Sequence, residues 1–357
     1  MGRKHNFNAG PSTLPLPVLE TLAANLVDTK GLGLSVLEMS HRSKDFGAIL
    51  AHAKETLAEL LSLPADYEIL FLQGGASQQF AMVPMNLGSG AYVTTGIWSQ
   101  KALAEARIVS EPKEIWSDAA GGFCRVPSPD EFPQAPEGAN YLHYTSNNTI
   151  AGTEFPYVPA SSLPLVADMS SDFLSKPLDV KPFGLIYAGA QKNAGPAGIT
   201  IVVARRSILE DFRGSASVPK ILRYATHLAA GSLYNTMPTF NLYACSLVFD
   251  WIKREGGLEA MASRNQAKAD RLYGVIDARP ELYQGHAERG SRSRMNVTFR
   301  LPTPEHEKRF LDEAGRAGCI GLAGHRTVGG LRASIYNAQP MAAVEALASV
   351  MESFTDS

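Results

Sequence analysis

The sequence has few cysteines and little net charge. Its 357 residues include three cysteines, Cys124, Cys245 and Cys319, which lie far apart, and no pair of them has the spacing of metal ligands. We therefore expect neither a disulfide framework nor a metal site, and a reducing compartment, the cytoplasm, is predicted. The formal net charge of −2 gives no global attraction to nucleic acid or to an anionic membrane.

Long apolar runs and the common nucleotide-binding motifs are also missing. No stretch approaches the roughly 20 apolar residues of a membrane span, and the first residues lack the apolar core of a secretory signal. Neither a Walker A motif nor a Gly-x-Gly-x-x-Gly fingerprint occurs. An NAD-dependent enzyme is therefore not favoured.

The chain is long enough for two domains, and its composition of 45% hydrophobic and 19% charged residues is that of an ordinary globular protein. Between about residues 67 and 204, short apolar runs alternate with helical or loop stretches. This pattern predicts an α/β fold with a parallel or mostly parallel sheet, in which ligands bind at the carboxyl ends of the strands. The predicted strands are Glu68–Leu72, Ala91–Thr95, Tyr141–Tyr144, Leu163–Ala167, Leu185–Ala188 and Ile199–Val203.

The last third of the chain has a different pattern. One long helical stretch is predicted from about Thr239 to Ala278, followed by a small α+β unit. Its predicted strands are Met295–Leu301 and Gly330–Ile335, and its predicted helices are Pro304–Ala317 and Met341–Phe354.

Lys192 is the most informative residue. It lies between two apolar runs, among Gly, Ala, Pro, Gln and Asn residues, and no acid adjoins it. Desolvation lowers the pKa of such a lysine, and small neighbours let a flat ring approach, as Schiff-base chemistry requires. The alternative is a solvated lysine in a turn between two strands.

Asp168 ends a predicted strand 24 positions before Lys192, about the length of one crossover unit. Pyridoxal phosphate needs an acid against its ring nitrogen and a lysine to hold its aldehyde, and this pair could supply both. The alternative is that Asp168 caps a following helix.

Three further strand ends carry candidate ligand-binding residues. Gly74-Gly-Ala-Ser77 precedes a helix and could bind phosphate through backbone N–H groups, although by itself the segment favours a plain tight turn. Trp98 could stack on a flat ring or belong to the core. Thr149 could hydrogen-bond a ring hydroxyl or a phosphate, or be an ordinary turn residue.

Basic residues cluster in three places. Arginine is well suited to a bidentate grip on carboxylate or phosphate, so five basic side chains at one site would suit a substrate with two or three negative charges. For each one alone, a solvated surface position is the alternative. The five are His41, Arg42, His325, Arg326 and Arg332.

Together these motifs resemble those of the phosphoserine aminotransferases, a family in the class V, fold-type I group of pyridoxal-phosphate enzymes. The resemblance covers nearly the whole chain, and the segments around Lys192 and Arg332 are specific to this family. The matching motifs are Asn6–Pro11, Ser40–Arg42, Gly74–Ser77, Val166–Ser171, Tyr187–Asn193, Gly195–Gly198, Asn235–Thr236, Gly324–Arg326 and Gly329–Ala338.

The resemblance implies a fold and an activity. It implies a large cofactor-binding α/β domain over residues 16–255 with a mostly parallel seven-stranded sheet, and a small α+β domain over residues 256–357 together with 1–15. The activity implied is reversible transamination between O-phospho-L-serine with 2-oxoglutarate and 3-phosphohydroxypyruvate with L-glutamate, in serine biosynthesis. Use of a phosphorylated threonine analogue in pyridoxine biosynthesis is left open.

It also implies a role for each candidate residue. Lys192 would hold the cofactor and move the proton, and Asp168 would pair with the ring nitrogen on which Trp98 stacks. The remaining cofactor contacts would come from Ala76, Ser77, Thr149 and Gln191, with Asn235 and Thr236 from the neighbouring subunit of a homodimer. Arg332 would bind the α-carboxylate. The substrate phosphate or distal carboxylate would be bound by His41, Arg42, His325 and Arg326, contributed by both subunits.

One residue departs from part of the family, and two rival functions are considered. Some members of the family have Arg at the position of Ser77, and that Arg contacts the charged end of the substrate. In this chain the contact is lost or is made by another residue. A cysteine desulfurase or lyase on the same fold needs a reactive cysteine on a mobile loop, a context that the three cysteines lack. A non-catalytic phosphate-binding protein would not need both Lys192 and Asp168.

Overall fold

The computed structural model of the chain describes residues 2–326 and 328–355. The strands are β1 (His5–Asn6), β2 (Tyr67–Leu72), β3 (Ala91–Thr94), β4 (Lys113–Ser117), β5 (Leu142–Thr145), β6 (Asn147–Asn148), β7 (Thr153–Glu154), β8 (Leu165–Asp168), β9 (Phe183–Gly189), β10 (Thr200–Arg205), β11 (Gln284–Gly285), β12 (Asn296–Arg300), β13 (Cys319–Ile320) and β14 (Leu331–Ser334). The helices are α1 (Leu16–Ala24), α2 (Lys44–Leu60), α3 (Gly75–Leu87), α4 (Ile97–Val109), α5 (Arg206–Glu210), α6 (Tyr224–Ala229), α7 (Thr239–Arg254), α8 (Gly257–Ala278), α9 (Pro304–Arg316) and α10 (Met341–Ser353).

Seven strands form the main sheet, in the order β2-β10-β9-β8-β5-β3-β4. Strand β10 runs antiparallel to both of its neighbours, and the other neighbouring pairs are parallel. The prediction of a mostly parallel seven-stranded α/β sheet is therefore confirmed. Every residue of β3, β5, β8 and β9 is buried, which explains why these strands are continuous apolar runs.

Helices cover both faces of this sheet. In β2, Ile69 and Phe71 belong to the core beneath α2 and α7, whereas Leu70 and Leu72 belong to the core beneath α3 and α4. The period of two along the strand thus divides its apolar side chains between two helical layers. Because β2, β3, β5, β8 and β9 point the same way, their carboxyl ends lie along one edge.

A second core lies in the C-terminal third, among β12, β14, α8, α9 and α10. Phe7 from the N-terminal segment belongs to it with a fully buried side chain, and β1 pairs in parallel with β13. The small sheet has the order β11-β12-β14. The domain bounds implied by the resemblance, residues 16–255 and 256–357 with 1–15, stay a prediction.

One local prediction was wrong, and one strand of the main sheet was not predicted. The helical stretch from Thr239 to Ala278 is two helices, because Gly256 adopts a left-handed conformation between α7 and α8. The edge strand β4 has exposed and half-buried side chains, so it lacks the apolar run that revealed the other strands. In the part of the chain that the structure describes, no helix is both long and apolar enough to cross a membrane.

Candidate active site

Asp168 is the last residue of β8, and its side chain is 4% exposed. Its Oδ1 accepts hydrogen bonds from the backbone N–H of Ser170 at 3.0 Å and from the Ser170 hydroxyl at 2.6 Å. No helix begins after Asp168, so it is not a helix cap. Burial raises the pKa of this carboxyl, and the charge of Lys192 and the bonds from Ser170 act in the opposite direction.

Lys192 lies in the ten-residue connection between β9 and β10, residues 190–199. Its Nζ donates to Thr149 Oγ1 at 2.6 Å. Burial lowers the pKa of Lys192 to about 8, while Asp168 raises it and Arg332 lowers it further. The lysine does sit in a turn between two strands, but its amine is desolvated and hydrogen-bonded inside the protein.

The lysine segment is fixed on both sides. The Ser12 hydroxyl donates to the Lys192 carbonyl at 2.5 Å, and the backbone N–H of Ser12 donates to the Gln191 carbonyl at 3.0 Å. Asn193 donates to the Ser171 carbonyl at 3.1 Å. Gly195 is required there, because a Cβ at this position would lie 2.4 Å from Cys245 Sγ. These contacts hold the backbone on which the amine depends.

Thr149 is carried by a short hairpin, β6 and β7, which follows β5. The Thr298 hydroxyl donates to the Ala151 carbonyl at 2.8 Å. A Cβ on Gly152 would lie 2.4 Å from Thr298 Oγ1, so only glycine allows the hairpin to approach β12 this closely. The hairpin thus connects the edge of the main sheet with the small sheet.

Arg332 lies on β14 and faces this hairpin. Its Nη1 donates to the Thr149 carbonyl at 3.3 Å, while its Nε is buried without a hydrogen-bond partner in the described part of the chain. Burial lowers the pKa of Arg332, and no described carboxylate is paired with it. A buried guanidinium with a free donor is suited to an anionic ligand.

A basic group surrounds His325. Burial and then the charges of Arg332, Arg326 and Lys101 lower its pKa. Lys101 also lies over the ring of Trp98, with its Nζ 4.6 Å from the ring centroid. Trp98 is half-buried in the first turn of α4, and its Nε1 is buried without a partner among residues 2–326 and 328–355. Lys101 therefore lies over the ring of Trp98 and also adds to the positive charge around His325.

The N-terminus of α3 follows β2 at the same edge. Gly74 precedes the helix in a left-handed conformation and offers no side-chain cap to the first N–H groups, among which are those of Ala76 and Ser77. Such a terminus can bind a phosphate. Asn235 donates to the side chain of Gln73 in the same chain, which places Asn235 beside this terminus.

Some predicted site residues do not join this group within one chain. His41 and Arg42 lie just before α2, half-buried and exposed respectively, and no hydrogen bond or ion pair between described residues joins them to Lys192 or His325. Thr236 is exposed. The predicted contributions of His41, Arg42, Asn235 and Thr236 to a shared site stay predictions.

Sequence reasoning missed two residues at this edge. Lys101 follows Trp98 by three positions, and the helical pattern of α4 would have placed both on one face. Ser170 was part of a matching motif, but its double hydrogen bond to Asp168 follows from a turn that no sequence pattern identified.

Comparison with known proteins identifies the family. The model of the family described as aminotransferase class-V matches residues 4–347. The chain belongs to the class-V aminotransferases. The resemblance recognised in the sequence is thereby confirmed.

Individual relatives of this class-V aminotransferase match over their full length. A phosphoserine aminotransferase of Geobacillus kaustophilus is 53% identical, with 99% of each chain covered. A solved structure on radiation damage of the Schiff base in phosphoserine aminotransferase is 50% identical with a TM-score of 0.95, and covers 99% of this chain and 98% of its own. The PLP-bound phosphoserine aminotransferase of Trichomonas vaginalis is 38% identical with a TM-score of 0.92, covering 98% of this chain and 100% of its own.

Proposed function

We propose that this protein transfers an amino group between O-phospho-L-serine and 2-oxoglutarate, forming 3-phosphohydroxypyruvate and L-glutamate, in serine biosynthesis. It is a pyridoxal-phosphate-dependent transaminase. The observation that carries the proposal is the pairing of Lys192 and Asp168 at one strand edge, in a chain 53% identical to a phosphoserine aminotransferase.

The residues at this edge fit pyridoxal phosphate. The uncapped N-terminus of α3 would hold the phosphate, and Asp168 would accept a hydrogen bond from the ring nitrogen. The buried Nε1 of Trp98, which has no hydrogen-bond partner among the described residues, would be satisfied by a bound ligand. When bound, the cofactor supplies an aldehyde that takes up an amino group and a protonated ring that withdraws electrons from the α-carbon.

Lys192 has two tasks in this proposal. A pKa of about 8 leaves an appreciable fraction of its amine neutral near neutral pH, as attachment to an aldehyde requires. Once free, the same amine can take the proton from the substrate α-carbon, and it would deliver that proton to the former aldehyde carbon of the cofactor when the cofactor is bound. Thr149, whose hydroxyl accepts from Nζ at 2.6 Å, orients it for both tasks.

Substrate binding is assigned to the cations. Arg332 binds the α-carboxylate that both amino donors share, because its buried guanidinium lacks a carboxylate partner among the described residues. The phosphate of phosphoserine and the distal carboxylate of glutamate are bound by His325 and Arg326, with His41 and Arg42 from the second subunit. A cluster of several cations accommodates both the phosphate and the carboxylate, because the anion is not restricted to the bidentate geometry of a single guanidinium.

The proposal extends to assembly and location. A homodimer with shared sites would give His41, Arg42, Asn235 and Thr236 their predicted partners, and the exposed or half-buried state of these residues in one chain is consistent with it. Three free cysteines fit a cytoplasmic location. Use of a phosphorylated threonine analogue in pyridoxine biosynthesis is a further possibility that the same anion site allows.

The desulfurase alternative is not supported by the cysteines. Cys245 and Cys319 are buried, and burial raises the pKa of both thiols. Cys124 is partly exposed, but burial and the charges of Asp118 and Glu288 raise the pKa of its thiol as well. A raised pKa disfavours the nucleophilic thiolate that a desulfurase needs.

The test is the absorbance spectrum of the purified holoenzyme. L-glutamate should remove the visible band of the bound cofactor, and 3-phosphohydroxypyruvate should restore it, with O-phospho-L-serine as the product. A visible band that glutamate does not change would overturn the proposed aminotransferase reaction. Absence of a visible band after incubation with pyridoxal phosphate would overturn the proposed role of Lys192. 3-Hydroxypyruvate in place of 3-phosphohydroxypyruvate is the matched control, because it lacks the phosphate.

A further inference from the structure

A cavity of about 750 Å³ lies away from the strand edge described above. It lies between the N-terminal segment, the end of α7, the middle of α8 and the start of α10. None of the candidate active-site residues lines it. Its volume is in the range of small-molecule sites.

Much of its wall is apolar, and some of these side chains are exposed. Leu16 is 50% exposed and Met341 is 38% exposed, and both line the cavity together with Trp251. Large apolar side chains left open to solvent in a concave surface mark binding sites more often than chance exposure does. An apolar ligand body would bury them.

The charged residues of the wall are mainly basic. Arg3, Lys4, His5, Arg264 and Lys268 line the cavity with one acid, Glu255, which is ion-paired with Arg264. The cavity therefore carries an excess of positive charge.

Lys268 is the decisive residue. Its side chain is 2% exposed, and its Nζ donates to the carbonyl oxygens of Ile335 at 2.8 Å and Tyr336 at 2.6 Å. An ammonium has three N–H donors, so one remains. Burial lowers the pKa of Lys268 to about 7, and the charge that acts on it is that of another cation, Arg264. No described carboxylate pairs with it, which is an unusual state for a buried amine.

Gln339 gives a second, independent indication. It lines the same cavity and is 3% exposed, yet its Nε2 has no hydrogen-bond partner within residues 2–326 and 328–355. Buried donors are almost always satisfied, so an acceptor that the chain does not supply is expected here.

We propose that this cavity binds a small carboxylic acid with an apolar body. The carboxylate is held by Lys268 and Gln339, and the apolar body packs against Leu16, Trp251 and Met341. A carboxylate can accept from both remaining donors and also offsets the charge of the Lys268 ammonium, whereas a neutral ligand leaves that charge unpaired. The site is separate from the proposed transamination and does not rest on it.

The test is calorimetric titration of the holoenzyme with 4-phenylbutyrate and with its uncharged counterpart, 4-phenylbutyramide. We expect saturable binding of one 4-phenylbutyrate per subunit and about tenfold or more weaker binding of the amide, because the charged hydrogen bond is lost. Octanoate and 3-phenylpropionate complete the panel. No saturable binding by any acid of the panel, or equal affinity for the acid and the amide, would overturn the proposal.

Three variants locate the site. Lys268→Met should reduce the affinity for 4-phenylbutyrate about tenfold and leave the affinity for the amide unchanged. Ala267→Trp, a change of an exposed α8 residue that lines the cavity, should abolish binding of both compounds by filling the space even if Lys268→Met does not fold. Lys253→Met is the matched control, because Lys253 is an exposed lysine paired with Glu59.

Arg332→Met separates this site from the active site. Its affinity for 4-phenylbutyrate should equal that of the wild type, whereas its transaminase activity should fall. Loss of binding in Arg332→Met would show that the acid occupies the transamination site and would overturn the proposal. Failure of transamination in the wild type would leave the calorimetric result intact.

Discussion

The amine of Lys192 lies 2.6 Å from the hydroxyl of Thr149, a residue 43 positions earlier that is carried by a separate hairpin. The hydroxyl fixes the direction of the amine, and the same residue's carbonyl accepts from Arg332 at 3.3 Å. Thr149 therefore connects the proposed proton-transfer group with the proposed carboxylate-binding group.

Replacement of Thr149 should impair catalysis more than binding. Thr149→Val keeps the shape but removes the acceptor, and the loss of one hydrogen bond to a charged amine should lower kcat about tenfold. Thr149→Ser retains the hydroxyl and should restore most of the activity. Steady-state kinetics with O-phospho-L-serine and 2-oxoglutarate measure kcat and KM of both variants. Equal losses in the two variants would argue against the orienting role.

The titration of Lys192 should depend on the charges around it. In the cofactor-free protein, reaction of Lys192 with an amine-specific reagent should show a midpoint near the pKa of about 8. Asp168→Asn should lower this midpoint, since the carboxylate favours the ammonium form, and Arg332→Met should raise it, since the guanidinium disfavours that form. Peptide mass spectrometry across pH values measures the modified fraction.

The control for this titration is Asp250→Asn. Asp250 is a partly exposed acid that pairs with His52 at 2.9 Å on the surface. The Asp250→Asn substitution should leave the titration midpoint of Lys192 unchanged. A midpoint that moves equally in Asp168→Asn and Asp250→Asn would contradict a local effect of Asp168.

Arg332→Lys should weaken the use of both amino donors. Lysine keeps the charge but loses the planar fork, so kcat/KM for phosphoserine and for glutamate should both fall about 30-fold or more. Arg271→Lys is the matched control, because Arg271 forms two ion pairs on the surface with Glu345 and Glu352. A loss confined to phosphoserine would assign Arg332 to the phosphate instead of the shared carboxylate.

Lys101→Met should selectively weaken the phosphorylated substrate. Lys101 adds a positive charge near His325, and position 77, where some members of the family have Arg, is Ser in this chain. We expect KM for phosphoserine to rise about two- to fivefold, with a smaller change for glutamate, and high salt should narrow the difference from wild type. Lys113→Met, which removes an exposed lysine bonded to the Glu137 carbonyl, should change neither KM.

Glu154→Gln should destabilise the fold. Burial alone would raise the pKa of Glu154, but Lys176 at 2.6 Å and Arg294 outweigh it and lower that pKa. Loss of the charge leaves Arg294 without its ion pair and Lys176 with only the more distant Asp172 carboxylate, at 3.9 Å. The free energy of unfolding should therefore fall by about 3–5 kcal/mol at neutral pH.

The sign of the pH effect follows from the lowered pKa of Glu154. Its stabilisation is present above the unfolded-state pKa of roughly 4 and is lost as the pH falls through the folded-state value, so wild type and variant should converge in acid. Urea unfolding at several pH values measures this. Glu59→Gln, which breaks an exposed ion pair with Lys253, should cause a much smaller change at every pH.

The sequence predicted the parts of the fold that depend on buried runs and strand ends. The strands β3, β5, β8 and β9 were recognisable because every residue is buried, and Lys192 and Asp168 because each follows or ends such a run. Strand β4 was not predictable, since its exposed and half-buried side chains at the sheet edge form neither an apolar run nor an alternating pattern.

Contacts between distant segments could not be predicted from local patterns. Thr149 was a weak candidate because threonine is common in turns, and only the docking of its hairpin on β12 brings it to Lys192. The hydroxyl of Ser12, which holds the Lys192 carbonyl, is 180 positions away in sequence. The roles of His41, Arg42, Asn235 and Thr236 depend on a second subunit and stay predictions.

The antiparallel insertion of β10 has an entropic consequence. Lys192 lies in a ten-residue connection whose ends are joined by a hydrogen bond of 2.9 Å from the Ala190 N–H to the Ile199 carbonyl, between adjacent strands. Closing such a loop takes little more chain entropy than closing a tight turn, since the cost grows only with the logarithm of length. The backbone of Lys192 is thus held in place when the sheet folds. A circular permutant opened in this loop would lose this restraint and would have to order the lysine segment each time the substrate reacts.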